Sequence, residues 1–158
     1  ALRGGFSGYG GGLAPLTSPG LAYGLSLGFR LQRYLGLELD LDGSRNGLQG
    51  RDGSIIRSSV RALGKLFLGA DPAFRAHLAA GVGLGYAFPT SPAEPTVDSD
   101  LFLEVPLAFG VEWQRKPLIY GVRLGLTGMF GDSFAQRLAV EPPDGALLDL
   151  TAMLGFGF

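Results

Sequence analysis

Apolar residues occur at every second position over long stretches of this chain, and clusters of Gly, Pro, Asp and Ser punctuate those stretches. A period of two is that of a β-strand, whose side chains alternate between faces, and it is incompatible with an amphipathic helix of period 3.6. The segment Leu147 to Phe158 shows it best. Leu148, Leu150, Ala152, Leu154, Phe156 and Phe158 form one apolar face, whereas Asp149, Thr151, Gly155 and Gly157 form a polar or very small one. No stretch approaches the ~18 uncharged apolar residues that a helical membrane span requires.

The same pattern recurs upstream. Leu118, Tyr120, Val122, Leu124, Leu126 and Phe130 oppose Gly121, Arg123, Gly125 and Thr127. Leu101 to Trp113 alternates with Glu104, Pro106, Ala108, Gly110, Glu112 and Gln114, and the segment Phe74 to Phe88 sets Leu78, Val82, Leu84 and Tyr86 against Arg75, His77, Gly81, Gly83 and Gly85. Ile56 to Leu68, Leu35 to Leu41 and Leu21 to Leu31 follow the rule less regularly, and a glycine run blurs a first strand near Leu2 to Leu13. The count is eight strands in residues 1–158, read as one unit. The connections near Gln32 and Arg33, at Ala70 to Ala73 and at Arg115 to Pro117 are short. Those at Gly43 to Gly53, Pro89 to Asp100 and Gly131 to Ala146 are long, with a modest one at Pro15 to Gly20. This alternation predicts a closed, eight-stranded, antiparallel up-and-down transmembrane β-barrel of the all-β class, with both termini at the short-turn, periplasmic end.

A soluble eight-stranded barrel also alternates, but with its apolar face inside. Residue size separates the two. Gly24, Gly28, Gly36, Gly81, Gly83, Gly85, Gly121, Gly125, Gly155 and Gly157 lie on the charged face, as a narrow lumen demands, whereas the bulky Leu and Phe side chains lie on the other. Glycine on a solvent-facing strand would weaken it without any packing gain. The aromatics of the apolar face fall at two levels: Tyr23, Tyr86, Phe88 and Phe130 near the long loops, and Phe29, Phe74, Trp113, Tyr120, Phe156 and Phe158 near the short turns. Two such girdles mark the two interfaces of a bilayer. Turning the charged face to lipid instead would cost roughly 2–4 kcal/mol for each charge at mid-bilayer.

The eight alternating segments, the long and short connections and the terminal Leu154-Gly155-Phe156-Gly157-Phe158 resemble the small outer-membrane barrels of the OmpA and OmpX type over essentially the whole chain. The resemblance implies an outer-membrane location and a C-terminal strand read by the barrel-assembly machinery. It implies an architecture rather than an activity, since surface-interaction proteins, hydrophobic-solute carriers and lipid A enzymes share it.

The lumen face carries Arg3, Arg30, Arg57, Arg61, Lys65, Arg75 and Arg123 against Glu38, Asp40, Asp42, Glu104, Glu112 and Asp149, with His77 among them. Strands three and four form a hairpin, and a register setting Asp42 opposite Arg57 also sets Glu38 opposite Arg61, aligning an acidic ladder with a basic one. Buried charges must be paired, so the expected result is a plug of ion pairs in a lumen only just wide enough for side chains. Pro106 removes a ladder donor and is read first as a bulge in strand six; the rival is a local break in pairing, open to lipid.

Catalysis and cofactors are not expected. In lipid A deacylases among small barrels, His and Ser sit two residues apart on the outward face. Here His77 faces the lumen and is followed by Ala79. One His and no Cys exclude the usual zinc ligands. Gly10, Gly11 and Gly12 lack the Lys-Ser or Lys-Thr of a phosphate loop. Asp52, Glu94, Asp98, Asp100, Asp132, Glu141 and Asp144 outweigh Arg45, Arg51 and Arg137 in the loops, a balance that attracts divalent cations bridging lipopolysaccharide without forming a dedicated Ca²⁺ site. Net charge of −1 gives no reason to expect nucleic acid. The expected partners are the bilayer with its lipopolysaccharide, the assembly machinery, and a protein of an envelope assembly. The leading function is non-enzymatic work in envelope structure or surface interaction, and its rival is a carrier or narrow channel for hydrophobic or small solutes.

Overall fold

Eight antiparallel strands close into a barrel in the order β1 to β8 in the computed structural model, which describes residues 1–11, 13–50, 52–69, 73–90, 100–131 and 145–157. The strands are β1 (Leu2–Gly11), β2 (Gly20–Arg30), β3 (Leu35–Gly47), β4 (Ser54–Leu68), β5 (Phe74–Thr90), β6 (Asp100–Arg115), β7 (Leu118–Phe130) and β8 (Gly145–Phe156). Each pairs with its sequence neighbour, and β1 closes the ring on β8 from Leu2↔Leu154 to Gly11↔Gly145. No helix among the described residues is long and apolar enough to cross a membrane; the crossing is made by strands.

Closure leaves no free edge strand and gives two faces with opposite chemistry. Leu, Val and Phe side chains cover the outside: Leu107 is 53% exposed, Leu124 46% and Leu150 55%. Charged side chains fill the inside. Both the N-terminus and the end of β8 lie at the short-turn end, where the amino group of Ala1 donates to the Ser26 carbonyl at 2.6 Å.

The glycines of the inner face permit close strand approach. A methyl group on Gly5 would run into the Leu150 carbonyl across the β1–β8 seam, and a backbone atom cannot swing aside. Gly5→Ala is therefore expected to lower stability by about 1–3 kcal/mol, seen as an earlier midpoint in urea unfolding from detergent; an unchanged midpoint contradicts the close-packed seam.

Three sequence readings are corrected. Strand three runs on to Gly47 rather than stopping near Leu41, because Ser44, Arg45 and Asn46, which look like loop, stay in the ladder opposite Arg57, Ile56 and Ile55. Asp42 consequently faces Ser59, Asp40 faces Arg61 and Glu38 faces Leu63, two residues from the expected alignment of Asp42 with Arg57. A slip of two preserves the face of every side chain while changing its partner. Pro106 does not sit in a bulge. The β5–β6 ladder runs from Phe74↔Trp113 to Ala80↔Leu107 and resumes in the same register at Gly83↔Glu104, so Gly81, Val82, Val105 and Pro106 leave a gap with no inserted residue. The proline has no N–H to donate and remains paired on its other side with Thr127 of β7. The predicted loops Pro89 to Asp100 and Gly131 to Ala146 lie almost wholly outside the described residues, as does the central part of the turn Ala70 to Ala73.

Candidate functional site

The lumen holds the densest polar chemistry, and alternation on five strands places it there. β4 sends Arg57, Arg61 and Lys65 inward at every fourth residue. β3 contributes Glu38, Asp40 and Asp42, β6 Glu104 and Glu112, β7 Arg123, and β1 Arg3. These groups join into one continuous chain down the barrel. Arg57 binds Glu104, which also takes Arg61 at 2.6 Å. Arg61 binds Asp42 at 2.8 Å, and Asp42 binds Arg3 at 2.6 Å. Arg3 reaches Asp40 at 2.9 Å, and Asp40 reaches Arg123 at 3.2 Å. Arg123 binds Glu38 at 2.5 Å, Glu38 binds Lys65 at 2.9 Å, and Lys65 binds Glu112 at 2.5 Å. The chain ends where Glu112 lies 3.4 Å from Nδ1 of His77.

Glu104, Asp42, Asp40 and Glu38 each stand between two cations, and Glu112 stands between Lys65 and the imidazole of His77. That arrangement answers the cost of burying charge, because removing ions from water is offset only when each ion meets partners of opposite sign. Burial is nearly complete: Glu104 is 0% exposed and Asp40 1%. Most links cross the lumen, as in β4 to β6 and β3 to β7, so the chain braces opposite walls as well as neighbouring strands.

The remaining lumen candidates lie around this chain. Arg30 is exposed at the short-turn end, its guanidinium 5.0 Å from the centre of the Phe67 ring, and Arg75 lies 5.9 Å from the same ring. Phe67 points inward and also carries Lys65 at 5.4 Å and the edge of His77 at 6.2 Å. Asp149 lies over Gly125, where a side chain would collide with its carboxylate, and makes no ion pair among the described residues. His77 is fully buried with its ring against Gly110, and neither ring nitrogen has a hydrogen-bond partner among the described residues.

Sequence reasoning missed an apolar cap. Tyr9, Leu13, Ile55, Ala87, Phe102, Met129 and Leu147 pack together inside the loop end, with Leu16 and Leu48 against them. Their signal is a break in alternation: Ile55, Phe102, Met129 and Leu147 are large apolar residues on the polar face, all within a few positions of a long loop.

The wall aromatics lie at two levels. At the loop end Tyr23, Tyr86 and Phe130 are exposed and Phe88 is partly so; the Tyr23 ring covers Gly43 on the neighbouring strand, and Tyr86 lies 6.1 Å from Phe88. At the turn end Phe29 and Phe156 are exposed, and Phe74, Trp113 and Tyr120 form a cross-strand row with centroids 5.3 and 6.0 Å apart. Phe158 lies outside the described residues.

A closed barrel that is apolar outside, charged inside and girdled twice by aromatics is a transmembrane β-barrel. No protein-family model matches the sequence, and no curated protein matches it. Among solved structures, Neisserial surface protein A superposes with a TM-score of 0.74 at 12% identity, covering 99% of this chain and 94% of that one. The attachment invasion locus protein Ail of Yersinia pestis gives 0.60 at 11% identity, covering 98% and 95%. The outer membrane enzyme PagL gives 0.56 at 15% identity, covering the whole of both chains. The fold is that of the small eight-stranded outer-membrane β-barrels, the OmpA/OmpX type.

Proposed function

We propose that this protein is a non-enzymatic outer-membrane barrel with periplasmic termini and a sealed lumen, acting in envelope structure or in docking a partner through its loops or outer wall. The observation that carries the reading is the lumen filling, in which an apolar cap lies over an unbroken chain of paired charges and Phe67 lies beneath. An eight-stranded barrel has interior space for little else. His77 supports the non-enzymatic part, since a fully buried imidazole between Phe67 and Gly110 cannot meet a lipid substrate. Among the neighbours, Ail has been crystallised in complex with the heparin analogue sucrose octasulfate. On this reading lipopolysaccharide packs against the outer wall, and β8 is the strand offered to the barrel-assembly machinery.

In planar bilayers the purified protein is expected to give no single-channel steps. Regular steps would overturn the sealed lumen and establish the second reading, a narrow channel or carrier, which the β5–β6 ladder gap and the unpartnered Thr127 and Thr151 hydroxyls favour.

A further inference from the structure

The short-turn end carries the exposed cations Arg33, Arg115 and Lys116, and Asp71 of the β4–β5 turn lies outside the described residues. None of the three makes an ion pair among the described residues. They also follow directly on the aromatic girdle. Arg33 lies 5.3 Å over the ring of its neighbour Tyr34, and Arg115 comes two residues after Trp113, which stacks on Tyr120 at an interplanar angle of 12°. Aromatic girdles sit at headgroup level, and a strand advances about 3.3 Å per residue, so Arg115 and Lys116 extend to the depth of the lipid phosphates.

We infer that this end of the barrel is a binding surface for anionic phospholipid, with Arg115 and Lys116 holding the phosphates at the β6–β7 turn and Arg33 holding them at the β2–β3 turn. Topology selects the occupant. In a ring ordered β1 to β8 those two turns lie on opposite sides, so a docked protein would have to straddle the whole barrel mouth to meet both, whereas a leaflet of lipid surrounds it. The chemistry agrees: an unpaired guanidinium matches a phosphate with two parallel hydrogen bonds, and cations beside a bilayer concentrate anionic lipid. The inference rests on the lipid-facing reading of the outer wall.

Trp113 is the sole tryptophan, and it stands beside one of the two turns. The protein is reconstituted in phosphatidylcholine vesicles containing an equal small fraction of dibrominated phosphatidylcholine or dibrominated phosphatidylglycerol, and Trp113 quenching is compared. Brominated phosphatidylglycerol is expected to quench more strongly, reflecting local enrichment on the order of fivefold per cation. The excess should fall as salt is raised and vanish in Arg115→Gln/Lys116→Gln, while Arg33→Gln, on the far side, leaves it intact. Equal quenching by the two lipids, or an excess that survives the double substitution, overturns the site. Absence of quenching by either lipid overturns the lipid-facing wall instead.

Discussion

Glu104→Gln is expected to lower the unfolding free energy of the barrel by about 3–5 kcal/mol. Among the described residues Glu104 is the only ionic partner of Arg57 and one of two for Arg61, and it is fully buried between them. An amide in its place accepts a hydrogen bond but cancels no charge, so two guanidiniums remain close together in a space without bulk water. Urea unfolding from detergent micelles, followed by circular dichroism, measures the loss. Asp149→Asn is the internal comparison, because that carboxylate lies in the same lumen outside the chain; its cost should stay below about 1 kcal/mol. Equal effects at the two positions would show that burial of any lumen carboxylate, not membership of the chain, sets the stability. Arg57→Met added to Glu104→Gln should recover part of the loss, since it removes the cation left behind.

Leu107→Arg is expected to cost roughly 2–4 kcal/mol, and Leu101→Arg only about 0–1. Leu107 faces outward on β6 between the two aromatic levels, whereas Leu101 is paired with Tyr86 at the loop-end level. The two residues share a strand, a face and a side chain, so depth in the hydrocarbon is the variable. Unfolding in phospholipid vesicles reads it. Equal costs would mean that the exposed leucines of the wall do not span a hydrocarbon layer, and the membrane assignment would fall with them.

Alternation alone made the faces legible, because a strand sorts its side chains without reference to any partner. Leu148 to Phe156 and Leu118 to Phe130 could be read from chemistry one residue at a time. Partner identity could not. β3 continues through Ser44, Arg45 and Asn46, residues whose local preference is for turns, and the two-residue slip that follows replaces Arg57 by Ser59 opposite Asp42. Even the correct register would not have named the ion pairs: Arg61 stands opposite Asp40 yet binds Asp42, and Arg57 crosses the lumen to Glu104 on β6. Long side chains in a closed ring choose by distance through the interior, which a list of neighbours does not contain. The apolar cap was hidden for another reason. Ile55, Phe102 and Leu147 offend the alternation singly, and only closure of the ring shows that the offences meet at one place.

The seam between β1 and β8 joins residues almost a full chain length apart, Leu2 to Leu154. Every other ladder forms between sequence neighbours, so a growing sheet can be assembled locally while this one contact waits. Until it forms, both outer strands present unpaired backbone groups to any other strand nearby, and the entropy of closing the longest loop has yet to be met. Ring closure is thus the step at which the chain is most exposed to pairing with the wrong molecule, and the narrow fit of Gly5 against Leu150 places that hazard at the join itself.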